Sequence, residues 1–546
     1  MNNEDPAYYQ NGKFYFLDGR IEETKGSIMV DDTEISKANM WKVASSYALP
    51  HSMLASLFSG KKYIDSLYGL SVVFFDVETD DNEQFLFAYA SVDGVMHRFA
   101  SVEALVDFLL RYDVVVGFNS FRFDYEVIFR KDARFHEVDC SGFKIRVVPN
   151  KINIDAFFYF CCWKPWKDSH SLNSLAEELG IVRSWDLSDK EEKCKEDVQI
   201  LAAFWSHLTE VYSFLAWFGM DHLSCSSIPA RWFSKLRRWM LQGWALKNGI
   251  MPALVRREST NKADFFRYCR RGFYRDVKSF DVSNAYPSTA ARLRKGLWRQ
   301  GDFADYMQWL MKMRRQAAVA GERDFVKYVS VTTIGDMGSS AGFIFDREMF
   351  CDVWNTFREQ MESWVRRIGK KNIVYSYTDN VVTSLVDVRE MHGYDIRLKG
   401  DYAWFCCYNI ERVLAMRKDG SVMRNHFNRG MAQLGMWKEL EKRIDEKLRK
   451  DPEAFLLKPE LDVLSQLPDD CFKIVVRKTE EQCRNLDYYM IWDELRMGFN
   501  EVYLARNGIT LDPKKKSMKK YEKLVKDYLK FYRFTVVKNG KRRNKG

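Results

Sequence analysis

Short apolar strands that end in a carboxylate recur along this chain, and they constrain its architecture more tightly than any other feature. The segments read SVVFFDVETD, SFDVSNAYPS and NIVYSYTDNVV. The first carries Asp76 and Glu78; the other two carry Asp281 and Asp379. Alternate residues of a strand face the same side, so Asp76 and Glu78 can meet one ion. Carboxylates from two different strands supply the hard oxygen ligands that hold two divalent cations roughly 3.5–4 Å apart around an attacking and a leaving oxygen. Alternating strands and helices with acids at the strand ends imply an open α/β sheet whose site lies at the strand termini.

The acidic set that begins with Asp76 and Glu78 gains two further members along the chain. Asn119 and Asp124 follow the apolar run VVVGF, and Asp197 lies at a helical position in KCKEDVQIL, behind HSLNSLAEELG. From Leu70 the pattern predicts strands at SVVFFDV, FLFAYASV and VVVGFN, helices around Val102–Arg111 and Tyr125–Arg130, and further helices to about Ala216. A later unit is predicted to hold a strand at 277–281, long helices at about 302–320 and 323–334, and strands around 373–378 and 381–386 with Asp379 at the turn between them. Residues 1–68 mix strand-like runs with a helical stretch near Met40–Leu57, and beyond about 420 the chain reads as mainly helical and charged.

Composition narrows the class. At 546 residues the chain exceeds what one core can organise, so two to four domains follow. Its 46% apolar and 15% aromatic content excludes global disorder. The 11 cysteines form no C-x-x-C, which argues against a zinc or iron–sulfur module. The start, MNNEDPAYYQNGK, has no apolar leader, and no stretch approaches the roughly 20 apolar residues of a membrane helix; a cytoplasmic protein without membrane contact is expected. Residues 511–546 hold fourteen Lys or Arg against three acids, a surplus of eleven that exceeds the whole-chain +10 and leaves about −1 elsewhere. Within that tail, Lys514 to Arg533 has amphipathic spacing (Tyr521, Leu524, Val525, Tyr528, Leu529, Tyr532) and reads as a helix with one basic face, suited to phosphate backbones. The last residues read as a solvated tail.

Over residues 70–210 the three acidic motifs, in order, resemble the DEDD 3′–5′ exonuclease domains attached to DNA polymerases. The resemblance implies a ribonuclease H-like fold in which Asp76, Glu78 and Asp197 ligate metal, Asp124 completes the site, and Asn119 contacts DNA. Lys193 stands four residues before Asp197, where the family carries a water-orienting tyrosine. The later unit resembles the palm of family B DNA polymerases. DVSNAYPS matches D-x-x-S-L-Y-P-S, which makes Asp281 and the Val282 carbonyl metal ligands and sets Tyr286 under the nucleotide sugar. YSYTDN is similar to Y-G-D-T-D-S, with Asp379 retained and Tyr377 in place of the first aspartate. In MRRQAAVAGERDFVKYVSVTTIG, Lys327 and Gly335 match the fingers motif K-x-x-x-N-S-x-Y-G, while Val331, Thr332 and Ile334 depart from it; Arg314, Arg315 and Lys327 would face the triphosphate. Gly272 in CRRGFYRDV corresponds to the template-holding linker, and Lys399 and Tyr402 in LKGDYAW to the primer-gripping region.

The implied fold is multidomain α/β and α+β: a ribonuclease H-like exonuclease domain followed by a ferredoxin-like antiparallel palm, helical fingers and a helical thumb. The expected boundaries are 1–68 for an N-terminal domain, 69–215 for the exonuclease, 216–270 for a connector, 271–300 and 336–415 for the palm, 301–335 for the fingers, and 416–546 for the thumb and basic C-terminal region. Asp281 to Lys327 spans 46 residues and Lys327 to Asp379 spans 52, which leaves no room for the two insertions of protein-primed relatives. The expected reaction is extension of a nucleic-acid primer on template DNA with dNTPs, using Mg²⁺ or Mn²⁺, alongside replication accessory proteins and without a protein primer. Two other readings stay open: a nuclease whose palm has degraded, and a non-catalytic nucleic-acid-binding protein.

Overall fold

The computed structural model describes residues 5–10, 12–23, 27–30, 33–36, 51–80, 82–130, 132, 134–140, 143–165, 167, 169–183, 189–220, 223, 233–317, 320–340, 344–425, 437–461, 474–476, 499–505, 508–513, 526, 528–530 and 532–534. Two compact units emerge, each discontinuous in sequence. The first comprises 1–264 and 284–357, the second 265–283 and 358–546. Among the described residues no helix is long and apolar enough to cross a membrane.

The first unit is organised by a five-stranded mixed sheet. Its order is Ile152–Asp155, Val114–Gly117, Val72–Thr79, Phe85–Val92, Val95–Phe99. The first two strands run parallel to Val72–Thr79, whereas the last two extend it as an antiparallel meander. Val72–Thr79 is therefore central, flanked on both sides, and its VVFF run is largely buried. The 28-residue helix Lys190–Trp217 packs across this sheet. Its start is fixed by the Asp189 carboxylate, which accepts from the backbone N–H groups of Glu191 (2.9 Å) and Glu192 (3.2 Å). Three further bonds pin the same end to the sheet: Tyr89 Oη and Arg98 Nη2 donate to Glu191 (3.0 and 2.9 Å), and Lys190 Nζ to the Thr79 carbonyl (2.8 Å).

Helices Asp302–Gln316 and Ala320–Met337 belong to this unit and share its core. Trp309 stacks on Trp217 at 5.0 Å, and Phe325 meets Phe214 edge-on at 5.2 Å. A half-buried ion pair fixes the second helix against Phe233–Lys247: Arg237 Nη2 and Nε donate to the Asp336 carboxylate at 2.7 and 3.0 Å. The predicted helices 302–320 and 323–334 thus end and begin differently, at 316 and 320. Of the predicted helix near Met40–Leu57, residues 40–50 lie outside the described residues, and the described helix is His51–Ser59.

The second unit is built on a seven-stranded, wholly antiparallel sheet, ordered Arg267–Cys269, Ile373–Tyr377, Asn380–Thr383, Gly272–Ser283, Asp395–Cys407, Val413–Arg417, Val422–Asn425. Tyr528, Leu529 and Tyr532 are buried beside its last strands: the Tyr408 hydroxyl donates to the Tyr532 carbonyl at 2.5 Å, and Arg424 Nε to the Tyr532 hydroxyl at 2.9 Å. The apolar face expected of Lys514–Arg533 is therefore a docking face at those three positions, with Lys526, Lys530 and Arg533 exposed; residues 514–525 lie outside the described residues. Beyond 420 the described residues include helices Trp437–Lys450 and Pro452–Leu457, and also strands that the sequence pattern does not predict. Strands Ile474–Val476, Phe499–Ala505 and Gly508–Pro513 form a three-stranded antiparallel sheet. The apolar run Val502–Tyr503–Leu504 marks one of these strands, a signal masked by the charge around it.

Candidate functional site

In the first unit the sheet and the long helix converge on an acidic cluster. Asp76, Glu78 and Asp197 each offer a carboxylate oxygen, all within 4.8 Å of one another. Asp76 and Glu78 reach it because they are alternate residues of one strand, and Asp197 because it lies two turns into the pinned helix. Burial, followed by repulsion from Asp197, pushes the Asp76 carboxyl up to about 7. Such a crowded, half-buried oxygen set fits a hard divalent cation, which would relieve that repulsion.

Asp124 does not join the three. It is buried at 2% exposure and accepts from the backbone N–H of Val77, the residue between Asp76 and Glu78, at 3.2 Å. Burial, then Asp76 and Asp155, raises its carboxyl well above the ordinary range. Asn119 has φ +54°, and its N–H donates to Asp155 at 2.7 Å, so it shapes the turn after VVVG. Two cations stand among the carboxylates. Lys193 Nζ bonds Glu78 and lies 3.7 Å from Asp197; Arg183 bonds Asp197 and donates to Asn173 at 2.6 Å. Burial works against the Lys193 charge, but Glu78, Asp197 and Asp76 prevail and hold the ammonium above its usual range.

In the second unit, Asp281 and Asp379 come together from neighbouring strands. Asp281 faces Asn380 across the ladder, and Asp379 is the second residue of a two-residue loop between Tyr377 and Asn380. The strands are tied there by the Val282 N–H donating to the Asp379 carbonyl at 2.9 Å. Thr378, the first loop residue, has φ +56°, a conformation costly for a β-branched side chain, and its hydroxyl donates to the Asp379 carboxylate at 2.8 Å. Burial, then Asp281, raises the Asp379 carboxyl. On the other side of Asp281, the register slips so that Ser279 faces Gly400 and Phe280 faces Leu398. Lys399 is the extra residue of this β-bulge, and its Nζ lies 2.9 Å from Asp281 Oδ1. Two carboxylates, a Val282 carbonyl on the same strand and an adjacent ammonium fit a divalent cation bridging to an anionic substrate.

The remaining candidates distribute as follows. Arg314 bonds the Asn284 side chain, Arg315 is exposed, and Lys327 lies on an exposed face of Ala320–Met337 with Val331 and Gly335. Ile334, where the resembled motif has tyrosine, is buried at 2% exposure. The Tyr286 ring packs 4.4 Å from Trp354 and 5.2 Å from Phe357. Tyr402 is buried at 3% exposure against Phe405, so its ring belongs to the core of the sheet, and Gly400 is required because a Cβ there would lie 2.8 Å from that ring. Gly272 is held by the same logic, with Tyr274 Oη 2.6 Å from where a Cβ would be. Tyr377 stands in the place of the missing aspartate, meeting Phe265 edge-on at 5.3 Å and stacking on Tyr375 at 6.5 Å. Sequence reasoning alone does not single out Arg183, Thr378 or Asp155. Asp155 ends the strand INID, the same strand-end acid seen elsewhere; the other two have no local signal.

No family model and no curated sequence matches the chain. Among solved structures, the family B DNA polymerase of the hyperthermophilic archaeon Pyrobaculum calidifontis is similar, with a TM-score of 0.53 and 16% sequence identity over 81% of this chain and 72% of that one. The fold thus resembles that of a family B DNA polymerase.

Proposed function

We propose that this chain is a DNA-directed DNA polymerase that extends a nucleic-acid primer with dNTPs and carries a 3′–5′ exonuclease. One observation carries the reading: within this fold, two acidic sites are assembled from sequence-distant elements, Asp76–Glu78–Asp197 from a strand and a helix in one unit and Asp281–Asp379 from a strand and a hairpin loop in the other. The mixed sheet with Val72–Thr79 at its centre supports a ribonuclease H-like exonuclease, and the antiparallel sheet with Asp379 at a hairpin supports a palm. Magnesium, when bound, would supply Lewis-acid stabilisation of the transferred phosphoryl and activate the attacking oxygen.

In this reading Asp281, Asp379 and the Val282 carbonyl hold metal, while Lys399 pairs with Asp281 and offers a cation to the primer terminus. Arg314, Arg315 and Lys327 serve the triphosphate. Asp76, Glu78 and Asp197 hold metal for hydrolysis, and Lys193 orients the water. Primer–template DNA and dNTPs are the substrates, accessory replication proteins are partners, and the short Asp281–Lys327–Asp379 spacing speaks against a protein primer.

A second reading, a nuclease alone, is favoured by one contrast: the upstream cluster has three carboxylates in ligand range, whereas Tyr377 leaves the downstream site with two. Primer extension with dNTP and Mg²⁺ separates them, run with the wild type, Asp379→Ala and Asp76→Ala. Extension lost only in Asp379→Ala supports the polymerase. Degradation without extension, abolished in Asp76→Ala, selects the nuclease. Salt-dependent DNA binding with neither activity would overturn both.

A further inference from the structure

Cys269 closes the edge strand Arg267–Cys269 and Cys407 closes Asp395–Cys407, a sequence separation of 138 residues, yet their sulfurs lie 3.0 Å apart. Both belong to the second unit and to one packed cluster with Tyr375 and Phe405. Neither thiol enters the chemistry proposed above. A disulfide requires the sulfurs to approach to about 2.05 Å, a closure of about 1 Å.

The surroundings give the two thiols unequal roles. Cys269 is partly exposed, whereas Cys161, Cys162, Cys194, Cys351, Cys406 and Cys407 are buried. The hydrogen bond from Cys407 lowers the Cys269 thiol below its usual range against the opposing effect of burial, and the Arg271 guanidinium adds to the lowering. Burial raises Cys406 to about 12 and raises Cys351 as well. Nucleophilic thiols are those that ionise easily and can be reached. The adjacent pair Cys406–Cys407 is a poorer match, because successive strand residues point to opposite faces.

We propose that Cys269 and Cys407 form a redox-modification site that hydroperoxides convert to a reversible disulfide, with Cys269 attacking and Cys407 resolving. The Cys269 thiolate attacks one peroxide oxygen, the O–O bond breaks, and hydroxide leaves, giving a sulfenic acid. Cys407, losing its proton, attacks that sulfur; the S–S bond forms and the second hydroxide departs. The two thiol protons convert both hydroxides to water, so two thiols and one hydrogen peroxide give one disulfide and two waters. The bond would tie the segment Arg270–Arg271–Gly272, which lies between the two strands of the sheet that Cys269 and Gly272 border, to the strand that carries Lys399.

The test uses the full-length chain, reduced, desalted and treated with stoichiometric hydrogen peroxide. Remaining thiols are alkylated and peptides are mapped without reduction. The expected result is a Cys269–Cys407 linked peptide as the main disulfide, lost in Cys269→Ser and reversed by dithiothreitol. In Cys407→Ser, dimedone should trap Cys269 as the sulfenic acid; should that variant fail to fold, a dimedone time course on the wild type should label Cys269 transiently. Brief iodoacetamide treatment should modify Cys269 at least about tenfold faster than the buried cysteines. A dominant Cys406–Cys407 link, a link from Cys269 to another cysteine, or no disulfide under excess peroxide would overturn the proposal.

Discussion

Lys399 reaches Asp281 from a β-bulge, its Nζ 2.9 Å from Oδ1, so one inserted residue places a cation beside the carboxylate pair. Lys399→Met should therefore lower kcat for primer extension about tenfold or more, with little change in KM for dNTP. The pair is too exposed to matter for folding: the urea midpoint should move by less than about 0.5 kcal/mol equivalent. Wild-type kcat in Lys399→Met would remove the lysine from the reaction.

Metal uptake at the upstream cluster should release protons. In the metal-free protein the Asp76 carboxyl, raised to about 7, is protonated at pH 6, and a ligated carboxylate is not. Titration calorimetry with Mg²⁺ at pH 6, in two buffers of different ionisation enthalpy, should show release of on the order of one proton, and the apparent affinity should tighten as pH rises towards 7 and level off above it. Asp76→Asn should abolish the release. Buffer-independent heats in the wild type would contradict the expectation.

Asp155 makes a separate prediction for stability. Burial raises its carboxyl from 3.8 to about 6, so the folded state holds the proton more tightly than the unfolded one. The associated stability is present below about pH 4 and is lost as pH rises through 6, by on the order of 3 kcal/mol. Asp155→Asn keeps an acceptor for the Asn119 and Phe157 N–H groups and cannot ionise. Denaturant melts at pH 4, 5, 6 and 7 should show the variant gaining relative to the wild type across that window; parallel curves would refute the assignment.

Thr378 holds a left-handed backbone that a β-branched residue adopts at a cost. Thr378→Asn tolerates that conformation better and should raise stability by about 1 kcal/mol in thermal melts. The same change loses the hydroxyl that donates to Asp379, so extension should slow severalfold. A variant both less stable and fully active would invert the assignment.

The acidic clusters are legible in the sequence because chemistry and local geometry coincide: alternate strand positions bring Asp76 and Glu78 together, and a strand–turn–strand pattern predicts Asp379 at a turn. The bulge at Lys399 is not legible, since register depends on two strands at once and shows in neither alone. Tyr402 illustrates the opposite failure. Its spacing from Lys399 reads as a functional pair, but two residues lie between them on a bulged strand, and packing against Phe405 decides its side. Arg183 reaches Asp197 through tertiary folding, which leaves no local trace in sequence. The later strands at 499–505 and 508–513 are hidden because the surrounding charge density resembles that of a solvated helix.

The interleaving of the two units has a consequence for inheritance. The strand Gly272–Ser283, at the middle of the antiparallel sheet, is contributed by a short excursion from a chain that then returns to complete the other core. A crossover anywhere between residues 264 and 358 leaves one parent's sheet without its central strand or the other's core without its last helices. Any single crossover that separates the two acidic sites therefore also divides the core of one unit between two parents.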